Sequence, residues 1–368
     1  MFIDISLIQP VPLSNLNRDD LGAPKTVVYG GSTRTRVSSQ SWKRQVRLEI
    51  ERQLADPAVR TRRILTEVAG HLTGPDYGWE PAEAEAAAAQ VALSTGKGLK
   101  LEKDGSTSVL MYLPAGVITQ LADLAVTHRE AILAEATKKT PKAILPGDEI
   151  LAVLSGRNGT ISLFGRMLAE LPSTEVDGAV QVAHAFTVHG TAPEIDFFTA
   201  VDDLNSADDR GSGHMNSAEF AAGVFYRYAC VNVRGLLHNL NGDEKMAREL
   251  TSAFLTAFIS TLPTGKQNST AANTLPELCH LAVRVDRPLS LAGAFETPLG
   301  GTSGHSLAAR YELADYARQL NLLWGQTGLR FEGHAGLEKP SLTGLGPRVG
   351  SYHDLIDQAV TAAYGGEQ

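Results

Sequence analysis

Cysteine is scarce. Two residues, Cys230 and Cys279, exclude a disulfide framework and supply too few thiolates for a zinc ribbon, so both read as buried, reduced side chains. A net positive charge is missing too. The 33 Lys and Arg stand against 41 Asp and Glu, leaving −8, which excludes indiscriminate coating of nucleic acid but leaves room for one local basic groove. No apolar run approaches the ~20 residues of a membrane span. The opening MFIDISLIQPVP carries an early Asp4 and no basic segment, unlike a signal peptide. A cytoplasmic protein without a membrane partner is expected. At 43% hydrophobic residues the chain can bury a substantial core, in one large or two to three smaller domains.

The usual catalytic spacings are absent as well. HExxH, GxSxG and GxGxxG do not occur. Thr264-Gly265-Lys266 invites a phosphate-loop reading, but no glycine stands five residues before Gly265 and Gln267 follows the lysine, so that motif is rejected. In the acidic stretch Asp202 to Asn216 the calcium-loop spacing fails at Ala207. No cofactor, no metal site and no catalytic residue is assigned.

What the chain does have is a concentration of basic, hydroxyl, amide and glycine residues from Leu16 to Arg47. Between Arg34 and Arg63 nine basic residues face three acidic ones, which points to a placed anion site in an acidic chain. Asn15 to Pro24 reads as a loop, Val27 to Tyr29 as a short strand broken by Gly30-Gly31, and Thr33 to Val37 as a second extended piece. Ser38 and Ser39 read as the N-cap region of a helix running to about Ala55. In it Gln40, Lys43, Arg44 and Arg47 fall on one stripe, while Trp42, Val46 and Ile50 lie on the opposing, core-facing side. Arginine grips phosphate with parallel hydrogen bonds, lysine offers a point charge, and a helix start adds free N–H groups. The expected ligand is therefore a nucleic-acid backbone. A merely solvated basic helix face is the competing reading.

Elsewhere, Phe2 to Leu7 alternates as a strand with Ile3, Ile5 and Leu7 inward. The block from Pro57 to about Pro172 is alanine-rich and helical, with helices expected at Ala82–Leu93, Leu121–Lys138 and Asp148–Leu154 and a strand at Ser108–Leu113. Val180–Val188 and Val224–Val233 read as strands. The 35 or so residues between them are too long for an ordinary connection, hence functional or protruding. Helices at Met246–Leu262, Leu307–Trp324 and Tyr352–Tyr364 and a strand at His280–Val285 complete the chain. Interleaved strands and helices suggest an α+β fold, an antiparallel sheet with helices on one face.

The strings Leu16–Asp20 (LNRDD), Tyr29–Gly31 (YGG) and Arg34–Arg44 (RTRVSSQSWKR) together resemble the CasC family, the backbone subunits of the type I-E CRISPR surveillance complex Cascade. Phe164–Leu168 (FGRML), Gln181–His189 (QVAHAFTVH), Asp196–Leu204 (DFFTAVDDL) and Gly223–Tyr228 (GVFYRY) come in the family's order, so the resemblance spans nearly the whole length. It implies a modified RRM or ferredoxin-like palm carrying an inserted helical fingers subdomain and a protruding β-hairpin thumb. The boundaries are palm 1–57, fingers 58–180, a palm strand 181–189, thumb 190–223 and the remaining palm 224–368.

It further implies a protein of the RAMP superfamily that polymerises along the guide RNA (crRNA) and presents it for pairing with target DNA, beside copies of itself and other Cascade subunits. On this resemblance and the basic pattern, the candidate RNA contacts are Arg18, Lys25, Ser38, Gln40, Lys43, Arg44, Arg47, Arg166, Met167 and Lys266. His214 and Met215 of the thumb are candidates for displacing a base. Two alternatives stand beside this reading. One is a metal-dependent ribonuclease using Asp19 or Asp20. The other is a protein-only filament in which the acidic protrusion meets the basic groove.

Overall fold

The computed structural model describes residues 1–96, 99–167, 174–200, 214–301, 304–338 and 342–365. The chain divides into two compact units. The first comprises Met1–Ile50, Val180–Leu237 and the chain from Asp243, and the second Glu51–Ala179 with His238–Gly242.

The first unit is built on an antiparallel sheet. Its strands are β1 (Phe2–Ser14), β2 (Thr26–Tyr29), β3 (Ser32–Val37), β6 (Val180–Val182), β7 (Ala185–Thr187), β8 (Glu194–Ala200), β9 (His214–Asn232), β10 (Leu278–Arg284) and β11 (Leu329–Gly336); β4 (Ala58–Thr61) and β5 (Met111–Pro114) pair in the second unit. The strand order is β11-β10-β1-β9-β7-β3-β2, with β6 and β8 also on β9. β1 is central, with β10 on one edge and β9 on the other. It is longer than Phe2–Leu7, and Asp4 and Ser6 are as buried as Ile3, Ile5 and Leu7. The reason is that helices cover both faces of the sheet, contrary to the one-faced arrangement expected. On one face Ile8, Tyr226, Tyr228 and Cys230 pack with Leu313, Ala314 and Ala317 of helix Ser306–Trp324. On the other, Arg227 lies against Phe258 of helix Glu244–Ser260 and Trp42.

In chain order the helices are α1 (Ser39–Leu54), α2 (Ile64–Thr73), α3 (Pro81–Ser94), α4 (Val117–Thr127), α5 (Arg129–Ala136), α6 (Gly147–Leu154), α7 (Gly159–Phe164), α8 (Val233–Asn239), α9 (Glu244–Ser260), the single turn α10 (Gln267–Thr270), α11 (Ser306–Trp324) and α12 (Tyr352–Tyr364). The second unit gathers α2 to α6 around Ile64, Val68, Val91, Leu121, Ile150 and Leu154, all fully buried. Its expected helix Leu121–Lys138 is two helices broken at His128.

Two features place the basic stretch. β2 and β3 pair Tyr29 with Ser32 across the two-residue loop Gly30-Gly31. Both glycines have positive φ, +56° and +72°, the backbone a primed hairpin turn demands. A Cβ at Gly30 would stand 1.6 Å from the Glu296 carbonyl oxygen, so only glycine lets the turn approach that segment. α1 then buries Trp42, Val46 and Ile50 at 1%, 0% and 0% exposure, each stabilising by roughly 1.5–3 kcal/mol through burial.

Candidate nucleic-acid interface

Leu16 to Arg44 folds as one hydrogen-bonded platform. The loop after β1 closes on itself through a bridge between Arg18 and Pro24. Asp19 Oδ1 accepts from the N–H groups of Leu21 and Ala23 at 2.9 and 3.0 Å, an Asx-type cap. Asn15 Nδ2 donates to the carbonyls of Gly22 and Glu219, pinning the loop to β9. Asn17 joins the loop to β2 and to the start of α1. Its carbonyl accepts from Lys25 N at 2.9 Å, and its Oδ1 accepts from Ser38 N at 2.8 Å. The Lys25 carbonyl in turn accepts from Arg36 N at 2.7 Å. Loop, β3 and the first turn of α1 therefore share one fixed geometry.

Ser38 is the helix cap, its Oγ accepting from Ser41 N. It is buried, and its N–H is already committed to Asn17. The first turn of α1 contains no acidic residue. From that platform Arg18, Gln40 and Arg44 are exposed and Lys25 and Lys43 half-buried. Lys266 is exposed with φ +55°. Its neighbour Gly265 lies so near that a Cβ would come within 2.5 Å of the Asn15 carbonyl oxygen. The Lys266 turn thus abuts the Arg18 loop, and the two wall an open depression lined by Asn17, Arg18, Asp19, Asp20 and Gly265.

Several sequence-derived assignments differ. Arg47 does not share the exposed stripe: it is only 8% exposed, although its i+7 spacing places it on the same side of α1 as Gln40. Arg166 is 4% exposed and donates to the carbonyls of Thr174, Tyr112, Gly156 and Ser155. Burial pushes its guanidinium down to about 10, so it remains a cation, yet one spent on the backbone and not presented to a phosphate. Met167 beside it is 83% exposed, a surface side chain and not part of a core. The backbones of His214 and Met215, at the start of β9, pair with Ala200 and Thr199 of β8. Their side chains, the acidic tip 201–213 and the end of the FGRML string lie outside the described residues.

Two basic residues escaped assignment from sequence. Arg36 Nη1 and His184 Nδ1 stand 3.1 Å apart. Burial, with Arg36 and then Lys25 nearby, holds the His184 imidazole below its ordinary value. The ring is therefore neutral at pH 7, its Nδ1 accepts from Arg36, and the proton is on Nε2. Arg34, by contrast, is fully buried and donates to the carbonyls of Thr187, Phe295 and Glu296. No alternation signal separates these two arginines, since they stand two residues apart in β3 and so share a face of the strand.

The family profile described as CT1975-like protein matches residues 3–347. A solved chain described as "CRISPR RNA-guided surveillance complex, pre-nicking" is 57% identical, with a TM-score of 0.94 over 99% of this chain and all of that one. Another, described as "CRISPR RNA-guided surveillance complex", is 50% identical, with a TM-score of 0.83 over 99% of this chain and all of that one. No curated protein matches.

Proposed function

The chain belongs to the CT1975-like family, and from that premise we propose that it is a subunit of a CRISPR RNA-guided surveillance complex, the type I-E backbone subunit that polymerises along crRNA. It holds the guide by its ribose-phosphate and leaves sequence reading to base pairing with target DNA. The observation that carries this reading is the platform from Leu16 to Arg44. One network of loop, strand and helix-cap bonds fixes Arg18, Lys25, Gln40, Lys43 and Arg44 around a first turn free of carboxylates, where the helix dipole favours phosphate.

In this reading the protein binds and does not cut. Asp19 is engaged as the cap of its own loop, and its carboxylate serves the loop's shape. Magnesium-dependent RNA cleavage that disappears in Asp19→Asn or Asp20→Asn would favour the nuclease alternative.

The test is to co-express the chain with a CRISPR array, purify it, and sequence the nucleic acid that accompanies it. Trimmed repeat–spacer RNA of uniform length supports the guide-backbone reading. Random cellular RNA reduces it to a non-specific binder. Nucleic-acid-free protein that still assembles supports the protein filament.

A further inference from the structure

A β-bulge seats a histidine against the platform. β6 pairs Val182 with Ala229, and β7 pairs Phe186 with Tyr226, so the chain from Val182 to Phe186 advances four residues while its partner advances three. The extra residue falls at Ala183–Ala185, and bulges of this kind re-aim side chains. Phe186 is the cross-strand partner of Arg36 and Ala185 that of Val37. His184 therefore lies on the diagonal from Arg36, within reach of a long side chain, and its Nδ1 meets Arg36 Nη1. Arg36 Nε donates to the Thr26 carbonyl at 3.4 Å, and Lys25 is hydrogen-bonded to Arg36 through the backbone. No carboxylate pairs with Arg36 or Lys25 among the described residues. Arg36 and a neutral imidazole thus meet two residues before the cap of α1, with Lys25 close enough to act on the ring through its charge, in a chain of net charge −8.

We infer that Arg36 is an RNA-backbone contact and that His184 is its positioning residue, holding the guanidinium so that a phosphodiester is received between Arg36 and Lys25. This rests on the guide-binding reading and adds a contact to it. A guanidinium anchored at Nε and Nη1 has one amine, Nη2, left to turn toward an anion. It loses less rotamer entropy on binding than a free arginine does. Histidine suits the anchoring role because an imidazole Nδ1 accepts a hydrogen bond without neutralising the cation, as a carboxylate there would do.

The experiment measures anisotropy of fluorescein-labelled oligouridylate with the full chain across a salt series, for the unaltered protein and for Arg36→Gln, His184→Leu, His184→Asn and the Arg36→Gln/His184→Leu pair. Arg36→Gln is expected to weaken binding about tenfold and to make the salt slope shallower by ~0.7, the value for one phosphate contact on a single strand. His184→Leu is expected to weaken binding with the slope kept. His184→Asn, whose Oδ1 replaces the Nδ1 acceptor, should restore it. The double variant should be no weaker than Arg36→Gln alone, since both act through one contact. Unchanged affinity and slope in Arg36→Gln would overturn the contact. Additive losses, or failure of asparagine to rescue, would overturn the positioning role. If the unaltered chain binds no RNA at any salt, the functional reading falls and the inference falls with it.

Discussion

Under the proposed function, single residues divide into those that would touch the RNA and those that hold the fold around it still. Arg44 is exposed and Lys43 half-buried on the polar side of α1. Lys43→Ala with Arg44→Ala is therefore expected to weaken RNA binding about equally for any spacer sequence, and to make the salt slope shallower by ~1.4, two single-strand phosphate contacts. A loss confined to one RNA sequence, read by filter binding, would contradict backbone recognition. Asp4 illustrates the other class. Its carboxylate accepts from Tyr228 Oη at 2.7 Å and from Leu289 N at 3.0 Å, with Arg284 Nε 3.6 Å away. Burial nonetheless dominates and pushes it up to about 6 from 3.8. The folded state thus holds this proton more tightly than the unfolded chain. The stabilisation is complete below the unfolded value and is lost as pH rises through about 6. On the order of 3 kcal/mol is at stake for a shift of that size. Urea midpoints should show the unaltered chain gaining stability relative to Asp4→Asn as pH falls from about 7 to about 4, and a constant difference across that range would refute the linkage.

At the scale of elements, what was legible in the sequence was what periodicity reports. The core side of α1, Trp42 with Val46 and Ile50, follows from spacing, and α12 runs from Tyr352 to Tyr364 as its apolar pattern indicates. β11 went unread because Leu329–Gly336 mixes Arg330, Glu332, Gly333 and His334 into a strand whose neighbours supply the partners. The bulge at His184 was hidden for a different reason: it is a mismatch between two strands, and neither strand alone records it. Buried arginines defeat composition in the same way, because charge in sequence reads as surface. Arg227 is 1% exposed, with its guanidinium carbon 3.7 Å from the Trp42 ring centroid and 4.6 Å from that of Phe258. It donates to Gln9 Oε1 and to the Phe258 carbonyl. Burial pushes it down to about 9, so it stays charged at neutral pH between two ring faces. One side chain thus couples β9, α9 and the helix that carries Gln40 and Arg44. Arg227→Leu leaves the Gln9 and Phe258 oxygens without their donor, at a cost of about 1–3 kcal/mol each. A midpoint unchanged in guanidinium unfolding would show that this cation does not brace α1.

For the whole molecule, the proposed function raises the question of how a chain of net charge −8 would assemble along a polyanion. Under that proposal the basic platform answers only half of it, since salt-sensitive contacts would hold one copy on the RNA and do nothing to place the next. The hairpin of β8 and β9 offers a second kind of contact. It pairs Glu194–Ala200 with His214–Phe220, and on β8 Ile195, Phe197 and Phe198 are 60%, 70% and 44% exposed. Phe197 and Phe198 are adjacent in the strand, so they point to opposite faces. A two-stranded hairpin that shows aromatics on both sides gains little from its own packing, and exposed apolar groups on this scale mark an interaction surface. In the proposed assembly that surface meets the neighbouring copy. Phe197→Ser with Phe198→Ser should then leave binding to an RNA long enough for one copy almost unchanged, because neither residue belongs to the platform. Sedimentation on a spacer-length RNA should show the cooperative multi-copy species replaced by independently bound single copies. Because the contact is apolar, raising salt should weaken the first step far more steeply than the copy-to-copy step. Equal loss on short and long RNA would place the hairpin against the RNA itself, and an unchanged multi-copy species would remove it from the assembly contact.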